Sequence, residues 1–145
     1  MDLDAAEAAL VAADPALVGA VVRRFAAEGG GRDAGPVCPA GGRTQWHVGG
    51  LPGLDPDGRP GREVRAPAGI LEHHPAEMVV RCFAGTAVDD LDAELAATGQ
   101  CVALPGGGAA TVGGVLAVGQ SGLRRLGWGP VRDTVLQVRF VGAAT

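Results

Sequence analysis

The chain has 145 residues, of which 25 are glycine and 10 proline, with 47% hydrophobic and 19% charged residues and a net charge of -4. This length suits one domain, and the hydrophobic fraction excludes disorder throughout. An acidic chain with 3% aromatic residues offers neither a basic field for a phosphodiester backbone nor platforms for stacked bases, which disfavours nucleic-acid binding.

In chain order, the first clear element is a helix over residues 14–28. Asp14 stands at its cap and Pro15 in its first turn, Leu17, Val18, Val21, Val22 and Phe25 share one face, and Gly29 and Gly30 stop it. The short apolar segment before it, residues 10–12, reads as a strand or as the end of an earlier alanine-rich helix. From residue 29 to 69 glycine and proline break the chain into loop with short strands, one of them at residues 37–39. Residues 51–65, containing PGLDPDGRPG, have the turn chemistry of an exposed hairpin tip or mobile surface loop.

MVVRCF (residues 78–83) has strand composition. Thr86 and Asp89 then stand in capping-box spacing at the head of a helix reaching Thr98, with Val88, Leu91 and Leu95 on its apolar face and Gly99 as a left-handed stop. A short strand at residues 101–104 follows, completing a strand-helix-strand unit. A last strand over residues 135–141 alternates Val135, Gln137 and Arg139 with Leu136, Val138 and Phe140.

Several features resist a chemical reading. Cys38, Cys82 and Cys101 are isolated and lack zinc or dithiol spacing, so they read as buried free thiols; no metal site is expected. His73 and His74 read as a surface turn before Pro75, and Trp46 and Trp128 as core fillers or as flanks for a planar ligand. Asp2, Asp4 and Glu7 contradict a signal-peptide start, and no apolar run has bilayer length, so the expectation is a soluble cytoplasmic protein.

Two glycine-rich segments stand out. In AGGRTQWHVGG (residues 40–50), Gly41 and Gly42 allow backbone amides to converge on an anion, and Arg43 and Thr44 add phosphate donors; taken alone, these residues read first as a plain tight turn. No Gly-Lys-Ser/Thr follows, so this is not a Walker A loop. Residues 105–133 carry Gly113, Gly114, Gly119, Gly122, Gly127 and Gly129, each costing roughly 1 kcal/mol against alanine inside a helix. Close approach of something flat or anionic accounts for them, as does biased composition.

The run GAATVGGVLAVGQSGLRRLGWGPVRDTVLQVRFV (residues 108–141) resembles the PCMH-type (vanillyl-alcohol oxidase-like) FAD-binding domain of the FAD-linked oxidase superfamily, closest to the FAD-binding subunits of glycolate oxidases. HPAEMVVRCFAGTAVDDLDAELAATGQCVALP (residues 74–105) resembles that family's strand, Ala-Gly-Thr turn, helix and next strand. PAGGRTQW (residues 39–46) resembles its pyrophosphate loop.

The resemblance implies an α+β fold with small mixed sheets and two to three flanking helices, a single domain over residues 1–145, and FAD as cofactor. It places Gly41, Gly42, Arg43 and Thr44 at the pyrophosphate and Thr111, Gly113, Gly114, Ser121 and Gly122 at the diphosphate, ribityl chain and isoalloxazine. Arg132 and Asp133 match an Arg-Asp pair that either fixes its loop or touches cofactor. Relatives that attach flavin covalently carry histidine where this chain has Arg43, and His47 lies four residues away, so covalent attachment is not expected. Because the family continues past the equivalent of Val141 with a further FAD segment and a substrate cap, the chain is expected to be a truncated domain. It would act as the FAD-binding component of an oxidoreductase of small organic substrates such as 2-hydroxy acids, with a protein partner or second copy completing the site. A non-catalytic interaction or structural subunit is the alternative.

Overall fold

The structure, a computed structural model, describes residues 23, 27, 37–48, 61–138 and 140. The segment at residues 10–12 lies outside these, as does the predicted helix at 14–28 apart from Arg23 and Ala27, which are helical and exposed.

The architecture is α+β, with two small sheets and, over residues 61–138, three helices. β1 (Val37–Pro39) pairs in parallel with β2 (Arg62–Val64), Cys38 opposite Glu63. The strand expected at residues 37–39 is therefore present. The end of the predicted surface loop is not loop, however, because residues 62–64 form its partner; residues 51–60 lie outside the described part. β3 (Ile70–His74) pairs antiparallel with β4 (Val79–Cys82), with an irregularity between Ile70 and Glu72.

The β3–β4 connection is a single 3-10 turn at Pro75–Glu77, closed by Met78 in the left-handed region at φ 55°. Met78 thus belongs to the turn rather than to the predicted strand. His73 and His74 end β3 instead of forming a surface turn; His73 Nε2 shares a hydrogen bond of 3.0 Å with Gln100 Oε1. The Gln100 amide also donates to Pro75 O at 2.7 Å, tying the turn to the far end of the next helix.

That helix, α1 (Val88–Ala96), buries the face read from its periodicity: Val88, Leu91 and Leu95 are 0%, 1% and 5% exposed. Each such burial stabilises the fold by about 1.5–3 kcal/mol. Val88 packs with Leu104, Ala110 and Val131, flanked by Val102, Val112, Val115 and Leu116. The capping box does not form. Ala87 is the N-cap without a side-chain bond, while buried Thr86 accepts from Gly69 N (3.0 Å) and donates to Gly69 O (3.1 Å). Asp89 instead accepts from Gly107 N at 3.2 Å. Helical geometry stops at Ala96, two residues short of the predicted Thr98, and the chain leaves through Gly99 at φ 73°.

Residues 101–104 do not form the predicted strand. The Val102 amide goes to the Asp92 carboxylate (2.7 Å) and its carbonyl to Arg124 (3.5 Å), so side chains take the groups a ladder would use. α2 (Val112–Val118), α3 (Arg125–Trp128) and a 3-10 turn at Val131–Thr134 complete the described chain. Residues 135–138 are irregular, contrary to the predicted last strand. No neighbouring strand among the described residues supplies hydrogen bonds, and Leu136, Val138 and Phe140 lie exposed.

Candidate functional site

The ladder of β1 runs one residue beyond the strand, as Ala40 N donates to Val64 O at 2.9 Å. The chain then turns through residues 41–48, closed by Trp46 N to Arg43 O (3.3 Å) and Val48 N to Gln45 O (3.0 Å). Arg43 sits in the left-handed region at φ 58°, uncommon for a side-chain-bearing residue.

This turn presses directly on the second glycine-rich segment. A Cβ on Gly41 would lie 2.3 Å from Thr111 Oγ1, and one on Gly42 only 1.4 Å from Ala109 O. Both glycines are therefore required by the chain's own atoms, whatever else the turn touches. On the opposing side Gly107 and Gly108 have φ 126° and 62°, and Thr111 is extended and caps α2 by accepting from Gly114 N at 3.2 Å. Gly113 N donates to Ala84 O at 2.7 Å, where a Cβ would meet the Ala84 Cβ at 2.8 Å. Gly42 and Gly113 thus serve close approach to backbone, and Gly41 close approach to the Thr111 hydroxyl.

Between the segments lies a cavity of about 140 Å³. Thr44 and Gln45 line it from the first turn, Pro105, Gly106, Gly107 and Ala110 from the loop before α2, and Val115, Val118 and Gln120 from α2 and its exit. Uncharged donors face apolar side chains across it. No heavy atom lies within 4 Å of where a Cβ would sit on Gly107, so the backbone is open there.

The cations stand elsewhere. Arg43 donates to Glu63 Oε1 and lies 5.1 Å from the Trp46 ring centroid; Arg65 approaches Glu63 Oε2 at 3.7 Å and donates to Gly41 O at 3.2 Å. Arg124 lies over Trp128 at the same 5.1 Å. Neither tryptophan is the core filler its size suggested: Trp46 is half-buried, Trp128 is 46% exposed, and each carries an arginine.

Of the residues marked from sequence, Gly41, Gly42, Thr44, Thr111, Gly113 and Gly114 come together, and Thr44 lines the cavity. Gly122 packs at its edge, 3.3 Å from the Pro105 Cβ by its own would-be Cβ, and Ser121 Oγ accepts from Val131 N at 3.3 Å. Arg132 and Asp133 pair with each other at 3.4 Å, exposed, and neither lines the cavity. Gln45, Gly106, Gly107, Val115, Val118 and Gln120 were not marked. Gln45 and Gln120 each stand beside a marked residue, Thr44 or Ser121, and that adjacency was the available signal.

Burial raises the Cys82 thiol above its ordinary value, partly offset by a hydrogen bond with Thr86. Cys38 and Cys82 are half-buried and Cys101 is exposed, so only part of the buried-thiol expectation holds. Among the described residues no group of His, Cys, Asp or Glu is placed to hold a metal ion, and no helix is long and apolar enough to cross a membrane.

Comparison with known proteins bears on this site. A family model described as an FAD binding domain matches residues 63–144. The chain is similar to glycolate oxidase subunit GlcE of Escherichia coli (strain K12), with 38% identity over 85 residues, 57% of this chain and 24% of that protein. The chain thus spans about a quarter of that relative's length. No solved structure matches. The family match begins inside β2, at Glu63, and takes in the whole second segment but not residues 41–48, which reach the site through the packing described above.

Proposed function

The chain belongs to the FAD binding domain family, so FAD is its cofactor, and we propose from this premise that the paired glycine-rich segments form one part of the flavin site of an oxidoreductase component. The observation that carries the proposal is the contact of the two segments, Gly41 and Gly42 against Ala109 and Thr111, around a cavity inside the family match on one side.

The residues fit the group. Thr44, Gln45 and Gln120 offer neutral donors suited to a diphosphate or a polyol, the open backbone at Gly107 admits close approach, and Val115 and Val118 suit an apolar edge. At about 140 Å³ the cavity is smaller than the roughly 300–1,000 Å³ typical of small-molecule sites, so it takes only part of a dinucleotide. In this reading residues 41–44 and Thr111, Gly113 and Gly114 lie along the diphosphate, and Ser121 and Gly122 hold the exit of α2 beside the ribityl region. Arg132 and Asp133 fix the turn before residue 135. The chemistry that FAD supplies when bound is two-electron oxidation of a substrate. This chain's side chains bind and orient; none of those at the cavity is an acid or base.

A small 2-hydroxy acid is the substrate class proposed, by analogy with the name of the glycolate oxidase relative. A protein partner or a second copy of the chain at the flavin site is proposed on the exposed apolar side chains of Leu123, Leu126, Leu136, Val138 and Phe140, which an assembly would cover. The test is to supplement the purified chain with FAD, alone and with proteins that co-purify, and mix it anaerobically with glycolate or lactate. Loss of the oxidised-flavin absorption band supports the reading. Absence of flavin uptake in both preparations overturns it.

A further inference from the structure

Arg43 is the one marked phosphate donor whose side chain is committed elsewhere. Its guanidinium is held between the Glu63 carboxylate on β2 and the face of Trp46, while its backbone occupies the left-handed region. The second carboxylate oxygen of Glu63 faces Arg65 at 3.7 Å, and Arg65 in turn donates to Gly41 O at 3.2 Å. One acidic side chain therefore anchors the turn twice, through a cation inside it and through a cation that holds its first carbonyl. From its other side the turn is fixed by Ala109 and Thr111.

We infer that Glu63 is a positioning residue for the cofactor: it holds residues 41–46 in the shape that meets FAD, acting through Arg43 and Arg65 rather than by touching the ligand. This rests on the flavin reading above. The surprise in it is the sign of the charge. A carboxylate close to an anionic diphosphate should weaken binding by Coulomb repulsion, so its presence beside this turn has to be explained by what it organises. Two guanidinium groups leave the trio with a positive balance, and a turn ordered before binding spares the ligand that ordering cost. Parallel pairing of β1 with β2 places Cys38 opposite Glu63, so the carboxylate sits one strand away from the start of the turn, within reach of both arginines.

The two effects oppose each other, which makes the substitution E63Q decisive. Removing the charge while keeping the shape is expected to weaken FAD binding about three- to tenfold, as half-exposed ion pairs and a cation–π contact are lost. E63D, which keeps the charge but shortens its reach, is expected to weaken binding in the same direction. The measurement is titration of the full chain with FAD followed by quenching of flavin fluorescence, with thermal melting to show that each variant is folded. Emission of Trp46 is read in parallel without FAD, in a W128F background so that one indole reports. Release of Arg43 from its carboxylate is expected to shift that emission in E63Q.

Weaker FAD binding with altered Trp46 emission supports the assignment. Equal or tighter FAD binding by E63Q overturns it, because charge would then outweigh position, and unchanged Trp46 emission overturns the clamp itself. A W128F protein with Glu63 intact that takes up no FAD, tested beside the unaltered chain with the same result, overturns the function proposed above and the cofactor half of this inference with it.

Discussion

Replacing Gly42 with alanine tests whether the two glycine-rich segments are seated on each other. The new methyl group would lie 1.4 Å from Ala109 O and 2.2 Å from Ala109 C, where contacts under 3.0 Å are essentially never found, so the segments must part by about 1.6 Å. Backbone stands on both sides and no flexible side chain can give way. Overpacking costs typically 1–3 kcal/mol, and the upper part of that range, about 2–3 kcal/mol, applies here. For a domain of this size that corresponds to a fall in Tm of roughly 10 °C. Gly127→Ala is the matched control: it lies in α3 with no atom within 4 Å of the added Cβ, and its stability should be unchanged or raised by up to about 1 kcal/mol. Thermal unfolding followed by circular dichroism measures both. A Gly42→Ala protein melting within about 2 °C of the unaltered chain would show that the segments are not in contact, and the account of the site would fail.

Thr111→Ala removes the side-chain cap of α2 and should cost about 0.5–2 kcal/mol in chemical denaturation, with Thr111→Ser recovering most of it. Thr86→Val leaves the part-buried Gly69 N–H without its hydroxyl partner, while the Gly69 carbonyl keeps Phe83 N as donor, and about 1–3 kcal/mol is expected for the one group orphaned. Cys82, whose thiol is raised by burial, should alkylate with iodoacetamide more slowly than exposed Cys101 at neutral pH, measured by mass spectrometry of the labelled peptides. Because the folded state disfavours its thiolate, Cys82 contributes stability that is complete below the unfolded thiol value of about 8.5 and is lost as pH rises through the higher folded value. Cys82→Ala should flatten that alkaline decline.

What the sequence disclosed was local. The face of α1 was legible because Val88, Leu91 and Leu95 repeat at helical spacing, and all three are buried. β1 and β4 were legible for their composition and flanking turn residues. The strand at residues 101–104 was not realised, nor was the last one over its described residues 135–138, because alternation specifies a strand only when a neighbour supplies its ladder. Asp92 and Arg124 take the polar groups of Val102, and residues 135–138 have no strand beside them among those described. β2 was hidden inside a loop-like composition since its pairing with β1 is non-local.

At the site, the glycines were visible but the reason for them was not. A tight turn, biased composition or close approach of a ligand were the causes the sequence offered, whereas Gly41, Gly42 and Gly113 are required first by Thr111, Ala109 and Ala84, all distant in sequence. Thr86 likewise stood in capping-box spacing, but its hydroxyl found Gly69, a partner that spacing alone does not reveal. The role of Glu63 depends on strand register and two arginines, and nothing in its own neighbourhood announced it.

The central claim is that residues 40–46 and 106–122 form one FAD contact surface. Hydrogen–deuterium exchange of the full chain with and without FAD measures this directly, peptide by peptide. FAD is expected to slow exchange in both segments together while α1 is unchanged. Protection of only one segment, or protection confined to other parts of the chain, would contradict it.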